Sequence, residues 1–242
     1  VTLSRRLALS SASLLAVACA GPDVTAILRP GAPPRDRAAV LQTLLPGDNG
    51  PLLGARESPW HIVTDAPSTV TLRAGALVIA SAPGRRAFAA PRLPVAAIEP
   101  IASRRHEELS WTASVTVDPN VRFFIICELR FAGEAGAVLF QATPFDVQVT
   151  QDSERPGGGS SVSLPRLIGD GGRHSWRLRL SEAGTQMLLN GSPIWTVDGQ
   201  RALAWVAFGE TRTDALHGGQ MTLSDVVYVR RPALPQEVAW KE

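Results

Sequence analysis

The sequence is short of the residues on which most catalytic and metal sites are built. It has 2 cysteines, 4 histidines and 1 tyrosine among 242 residues. Two cysteines, Cys19 and Cys127, cannot make a disulfide framework. The histidines His61, His106, His174 and His217 all lie more than four residues apart, so no compact zinc-ligand pair is present. There is no Gly-x-Ser-x-Gly nucleophile elbow, no phosphate-binding P-loop and no dinucleotide fingerprint. Neither sign of charge dominates, with 24 basic against 22 acidic side chains, and lysine occurs once, as Lys241. That balance excludes the basic stripe of a nucleic-acid binder. No internal repeat is visible, which argues against a solenoid or propeller. No apolar run reaches the ~20 residues that a membrane-spanning helix needs.

What is present begins at the N-terminus. Arg5-Arg6 precede an uncharged stretch, Leu7–Ala18, of leucine, alanine, valine and serine. A basic head, a short apolar run and small residues before a cleavage point describe a secretory signal. Ser4-Arg5-Arg6-Leu7-Ala8-Leu9 resembles the twin-arginine export motif, with Ala8 where that motif usually has phenylalanine; general secretory export remains open. Ala16-Val17-Ala18-Cys19 resembles a bacterial lipobox. That resemblance implies cleavage before Cys19 and lipidation of its thiol. The expectation is a signal peptide over residues 1–18 and a chain exported and lipid-anchored to the bacterial cell envelope. Ala20 stands where many such lipoproteins retained in the inner membrane have aspartate, which in a host with two membranes leans toward the outer one. Cleavage removes two arginines and no acid, so the remaining chain is near neutral. Cys127 then has no partner, and within Phe123–Cys127 it reads as a small buried hydrophobe.

Residues 19–57 read as a Pro/Gly-rich tether, broken by Pro30-Gly31, Pro33-Pro34, Pro46-Gly47 and Gly50-Pro51. Ala38, Leu41, Leu44 and Leu45 fall at helical spacing and predict one short helix over 35–45. From Trp60 onward the period changes to two. Strands are predicted at 69–72, 76–79, 109–117, 122–131, 138–141 and 145–150, with loops at 83–100, 151–161 and 164–173. In His174–Leu180, Trp176, Leu178 and Leu180 share one face while Arg177 and Arg179 share the other. Asn190-Gly191 between 186–189 and 193–197 is a strong hairpin signal. Strands at 203–208 and 221–230 complete the set. The fold class is all-β, an antiparallel two-sheet sandwich.

Trp176, the Asn190-Gly191 turn, Ala207-Phe208-Gly209 and Leu223-Ser224-Asp225-Val226 together resemble the end of a concanavalin A-like, laminin-G-like jelly roll. The resemblance covers residues 58–232 and leaves 233–242 as a tail. Members of that superfamily bind glycans, cleave them, or serve as protein contacts. The leading expectation is therefore non-catalytic binding of a glycan or another envelope component. The alternatives are a glycan-active hydrolase similar to the keto-disaccharide hydrolase group, and a structural contact module.

Five patterns bear on chemistry. Glu128-Leu129-Arg130 is similar to the core of an alginate-lyase motif on this fold. Ile126 stands where that motif has arginine, and its Gln-x-His strand and tyrosine-rich strand are missing; the residues otherwise read as a strand with Glu128 and Arg130 facing solvent. The Glu-x-Asp-x-(x)-Glu spacing of glycoside hydrolases on this fold does not occur. Glu107 and Glu108 are adjacent, point to opposite faces and read as solvated. The polar stretch 210–219 holds Arg212, Asp214 and His217, and reads either as a solvated rim loop or as a ligand or Ca²⁺ site. Asp118-Pro119-Asn120 offers oxygens to calcium but reads first as a turn. Trp195 reads as core or as a sugar-stacking ring.

Overall fold

The computed structural model describes residues 40–43, 45, 59–93, 105–152, 160–165 and 168–232. Cys19 and the rest of the leader lie outside the described residues, as do most of the tether and the tail. Among the described residues, fifteen strands follow one another: β1 (Val40–Thr43), β2 (Trp60–Thr64), β3 (Thr69–Arg73), β4 (Ala76–Ser81), β5 (Ala87–Pro91), β6 (Arg105–Val117), β7 (Phe124–Phe131) and β8 (Ala137–Ala142). Then come β9 (Asp146–Asp152), β10 (Ser160–Pro165), β11 (Asp170–Ser181), β12 (Gly184–Leu189), β13 (Ser192–Val197), β14 (Leu203–Glu210) and β15 (Gly219–Pro232).

The strands form two antiparallel sheets. One has the order β13-β12-β11-β6-β15-β4-β3, with β1 as an eighth strand on β15. The other has the order β10-β9-β8-β7-β14-β5-β2. This is the expected jelly-roll sandwich. Alternation places the inward set between the sheets. Trp111 and Trp176, paired across β6 and β11, stack with centroids 6.1 Å apart and planes 4° apart. Phe208 of the opposite sheet meets the Trp111 ring edge-on at 5.0 Å, and Phe140 meets Trp176 at 6.4 Å. The sheets approach closely at Gly209, whose φ is 99°. A Cβ there would lie 2.5 Å from the Ala87 carbonyl and 2.7 Å from the Ile79 side chain.

Three segments depart from the sequence expectation, the first being β10, which pairs with β9 where loops were expected at 151–161 and 164–173. Val40–Thr43, inside the predicted helix, is a strand paired with Val227–Arg230. β4 covers only the first part of the 14-residue β15, pairing Gly219–Leu223. The remaining edge offers free backbone groups, and pairing with it outweighs a local leucine spacing. β5 falls inside a predicted loop. All five of its residues are buried. Ala87 and Ala89 face the core, while Phe88 and Ala90 lie under Trp205 and Val63 on the other side. A strand covered on both faces does not alternate in polarity.

Cys127 is fully buried, as its setting suggested. Burial, and then the neighbouring Glu128 charge, push its thiol well above the usual range.

Candidate functional site

The outer face of the eight-stranded sheet carries a groove. On β11, Arg173, Ser175, Arg177 and Arg179 alternate with the inward Trp176, Leu178 and Leu180. On β6, Glu108, Ser110 and Thr112 stand beside them, with Arg179 opposite Glu108, Arg177 opposite Ser110 and Ser175 opposite Thr112. On the other side of β6, Ser224 of β15 pairs with Thr112, but the next outward partner, opposite Ser110, is Val227. One extra residue is therefore inserted, a β-bulge, and it re-aims Asp225 onto the outer face. Asp225 has φ 54°, a conformation uncommon outside glycine but tolerated by aspartate.

The resulting space measures about 390 Å³ and is lined by Ser110, Thr112, Ser175, Arg177, Arg179 and Asp225, with Trp111 and Trp176 below. That volume lies within the ~300–1,000 Å³ of small-ligand clefts. The Asp225 carboxylate accepts hydrogen bonds from Arg173 Nη2 at 2.9 Å and Ser224 Oγ at 3.0 Å. The Ser224 hydroxyl makes the largest single contribution to holding the Asp225 carboxyl below the usual carboxylate range. Partial burial opposes this, and Thr112 and Arg173 add to the lowering. Arg177 and Arg179 share one carboxylate: their Nε atoms lie 3.4 and 3.2 Å from the two Glu108 oxygens. Glu108 is thus partly buried in an ion-pair network, where the sequence suggested a solvated side chain. Glu107 faces the other way and pairs with Arg230 at 3.5 Å. Beside Gly191, which lines the groove, Asn190 has φ 50° in the hairpin turn. Its Oδ1 accepts from the Ser175 amide at 2.9 Å.

The outer face of the seven-stranded sheet is filled differently. Glu128 points away from the core, yet it is 1% exposed, which corrects the solvent-facing expectation. Arg130 Nε and Nη2 lie 2.9 and 2.8 Å from its Oε1, and the Thr211 hydroxyl donates to Oε2. The Arg130 guanidinium, which is exposed as expected, sits 5.2 Å above the Trp205 ring. The chain's single tyrosine, Tyr228, is buried in the opposite sheet. No tyrosine therefore accompanies Glu128 and Arg130 on this face.

The residues singled out from sequence do not converge. Trp195, on β13, is half-buried, with its ring stacked on Phe131 at 6.2 Å and edge-on to Phe140 at 5.9 Å. β13 lies four strand spacings from β15, roughly 19 Å, whereas the 210–218 loop leads directly into β15. Within that loop His217 is 8% exposed, not solvated. Its Nδ1 lies 3.1 Å from Glu210 Oε2, and its ring packs 5.4 Å from Phe123. Glu210 is fully buried and also accepts from the Arg212 and Ile125 amides. Asp214 is exposed but accepts from the Leu216 amide at 2.9 Å, shaping the loop. Arg212 is partly exposed. Asp118 is engaged in its own turn through the Asn120 amide. Among the described residues, no three His, Cys, Asp or Glu side chains are placed to hold a metal ion.

The groove residues that sequence reading missed are Ser110, Thr112, Arg173, Ser175 and Asp225. One signal was available: an aspartate inside the apolar strand Met221–Arg230 is out of place unless a bulge turns it outward.

No protein-family model matches the chain, and no curated protein matches it. Solved structures do match in fold. The alginate lyase AlgAT5, of polysaccharide lyase family 7, aligns with a TM-score of 0.52 at 12% identity, over 79% of this chain and 100% of that one. The family 7 alginate lyase A1-II', solved with a substrate, gives 0.50 at 12% identity, over 75% of this chain and 85% of that one. A botulinum neurotoxin type C structure, from work on its interaction with two ganglioside molecules, gives 0.50 at 10% identity over 83% of this chain. The present chain spans 50% of that structure's length. The protein is thus an antiparallel β-sandwich of the jelly-roll class, and at these identities the likeness is one of fold.

Proposed function

We propose that this sandwich binds a glycan without cleaving it, in the groove across β6, β11 and β15. The observation that carries the reading is the bulge at Asp225. It turns a carboxylate onto the outer sheet face, beside hydroxyls and guanidiniums that match the hydrogen-bonding needs of a sugar. Support also comes from the fold, which the family 7 alginate lyases and the ganglioside-related toxin structure share.

The hydrolase alternative asks for two carboxylates about 5–10 Å apart, one of them held protonated. Among the described residues, the carboxylates beside the groove are Glu108 and Asp225. Asp225 hydrogen-bonds at Thr112, four residues along β6 from Glu108, which is roughly 13 Å of strand. Both are engaged by arginines, and Asp225 is held low, the opposite of what a proton donor needs. Binding as proposed needs no cofactor. The leader residues Arg5, Arg6 and Cys19 support export and lipid anchoring as the setting of this activity.

The test is calorimetric titration of the chain with neutral and acidic oligosaccharides, beside an assay for newly released reducing ends. Binding without release is the expected result. Release of reducing ends would overturn it in favour of the hydrolase. Silence toward every oligosaccharide would favour the structural contact module.

A further inference from the structure

Resting on that reading, the geometry points to an acidic glycan, one whose carboxylate or sulfate groups meet Arg177 and Arg179. Three guanidiniums, Arg173, Arg177 and Arg179, face the groove or its edge, against two carboxylates, Asp225 and Glu108. The pairing is uneven. Arg173 has Asp225 to itself, whereas Arg177 and Arg179 share Glu108. Each guanidinium carries five N–H donors, and one carboxylate has about four acceptor sites, so this pair is under-matched. Beyond Glu108 neither arginine has an acidic partner among the described residues, and both side chains remain well exposed, at 47% and 38%.

The two arginines alternate on one strand, ~7 Å apart along it, and so present two forks in a row along the groove. Planar forks suit carboxylate and sulfate oxygens. The neighbouring Ser110, Thr112 and Ser175 suit ring hydroxyls, beside the apolar surface that Trp111, Trp176 and Leu188 offer to a sugar ring. This favours a polyanionic sugar over an acidic peptide. Glu108 would then act as an internal competitor that pre-aligns both guanidiniums and is partly displaced by the ligand's own anion.

The test uses the whole chain and three probes: a galacturonic acid tetramer, a heparin tetramer and a neutral glucose tetramer, with oligoglutamate as the peptide control. At least one anionic sugar should bind more tightly than the neutral one, and its affinity should fall as salt rises from about 50 to about 500 mM. Arg177→Gln with Arg179→Gln should weaken that binding by about 10-fold or more. Glu108→Gln should tighten it several-fold, a gain that an unfolded or damaged variant could not show. Binding of the galacturonic acid tetramer shows that carboxylate suffices, whereas binding of the heparin tetramer alone shows that sulfate is required. Neutral tetramer bound as tightly as the anionic ones, with no response to Glu108→Gln, would sink the acidic class while leaving glycan binding in place. Oligoglutamate bound best would replace the sugar by an acidic protein partner. No binding of any sugar would remove both readings together.

Discussion

At the scale of single residues, the groove is organised by hydrogen bonds more than by net charge. Asp225 shows this. The Ser224 hydroxyl is the largest single influence holding its carboxyl in the charged form, and Thr112 and Arg173 add to it. Ser224→Ala should therefore raise the Asp225 titration midpoint, as followed by carboxyl-carbon NMR. An unmoved midpoint would show that the hydroxyl does not hold the carboxylate. The sign for stability follows from the lowered value. What Asp225 contributes is fully present above the ordinary aspartate value of ~3.9, and it is lost as pH falls through the lower folded-state value. His217 teaches a related lesson. A histidine in a polar loop looked available from sequence. Its placement against the buried Glu210 makes it a brace that ties the 210–218 loop to β14.

At the scale of elements, strand alternation does most of the work. β11 puts tryptophan and leucine inward and arginine and serine outward, so one strand supplies both the floor of the core and the wall of the groove. The β12–β13 hairpin turns through Asn190 and the groove-lining Gly191, with φ 50° and 81°. A Cβ added at Gly191 would meet nothing within 4 Å, so a substitution there tests backbone conformation alone. Gly191→Ala should cost about 1–2 kcal/mol in chemical denaturation, the penalty of a left-handed alanine. A change below ~0.3 kcal/mol would mean that the turn relaxes to another type. The expected helix at 35–45 and the overlooked β5 fail for complementary reasons: one segment borrowed its partner from the far end of the chain, and the other had no polar face to betray it.

For the whole molecule, the stacked Trp111–Trp176 pair and Phe208 join the two sheets beneath the groove, so core and site share a foundation. Trp176→Ala should lose about 3–5 kcal/mol of stability. Arg177→Ala, one residue along and on the opposite face, should lose under ~1 kcal/mol, because its ion pair is exposed. Denaturant titrations of the two variants make the comparison. Similar losses in both would contradict the assignment of faces. The same contrast separates stability from binding, since Arg177 is the residue whose loss should be felt by ligand.

The sequence by itself determined the all-β class, most of the strands, the Asn190-Gly191 turn and the inward place of Trp176, because alternation and turn chemistry are local and written in neighbouring residues. It also showed that Arg177 and Arg179 share a face. Only the tertiary structure decided what they face. The groove is made by β6, β11 and β15, which are brought side by side from distant parts of the chain, and the register shift against β6 decides what the outward Asp225 meets there. Tertiary packing likewise buried Glu128 and His217, because burial of a charged or titratable side chain depends on partners, here Arg130, Thr211 and Glu210, most of them supplied by other elements.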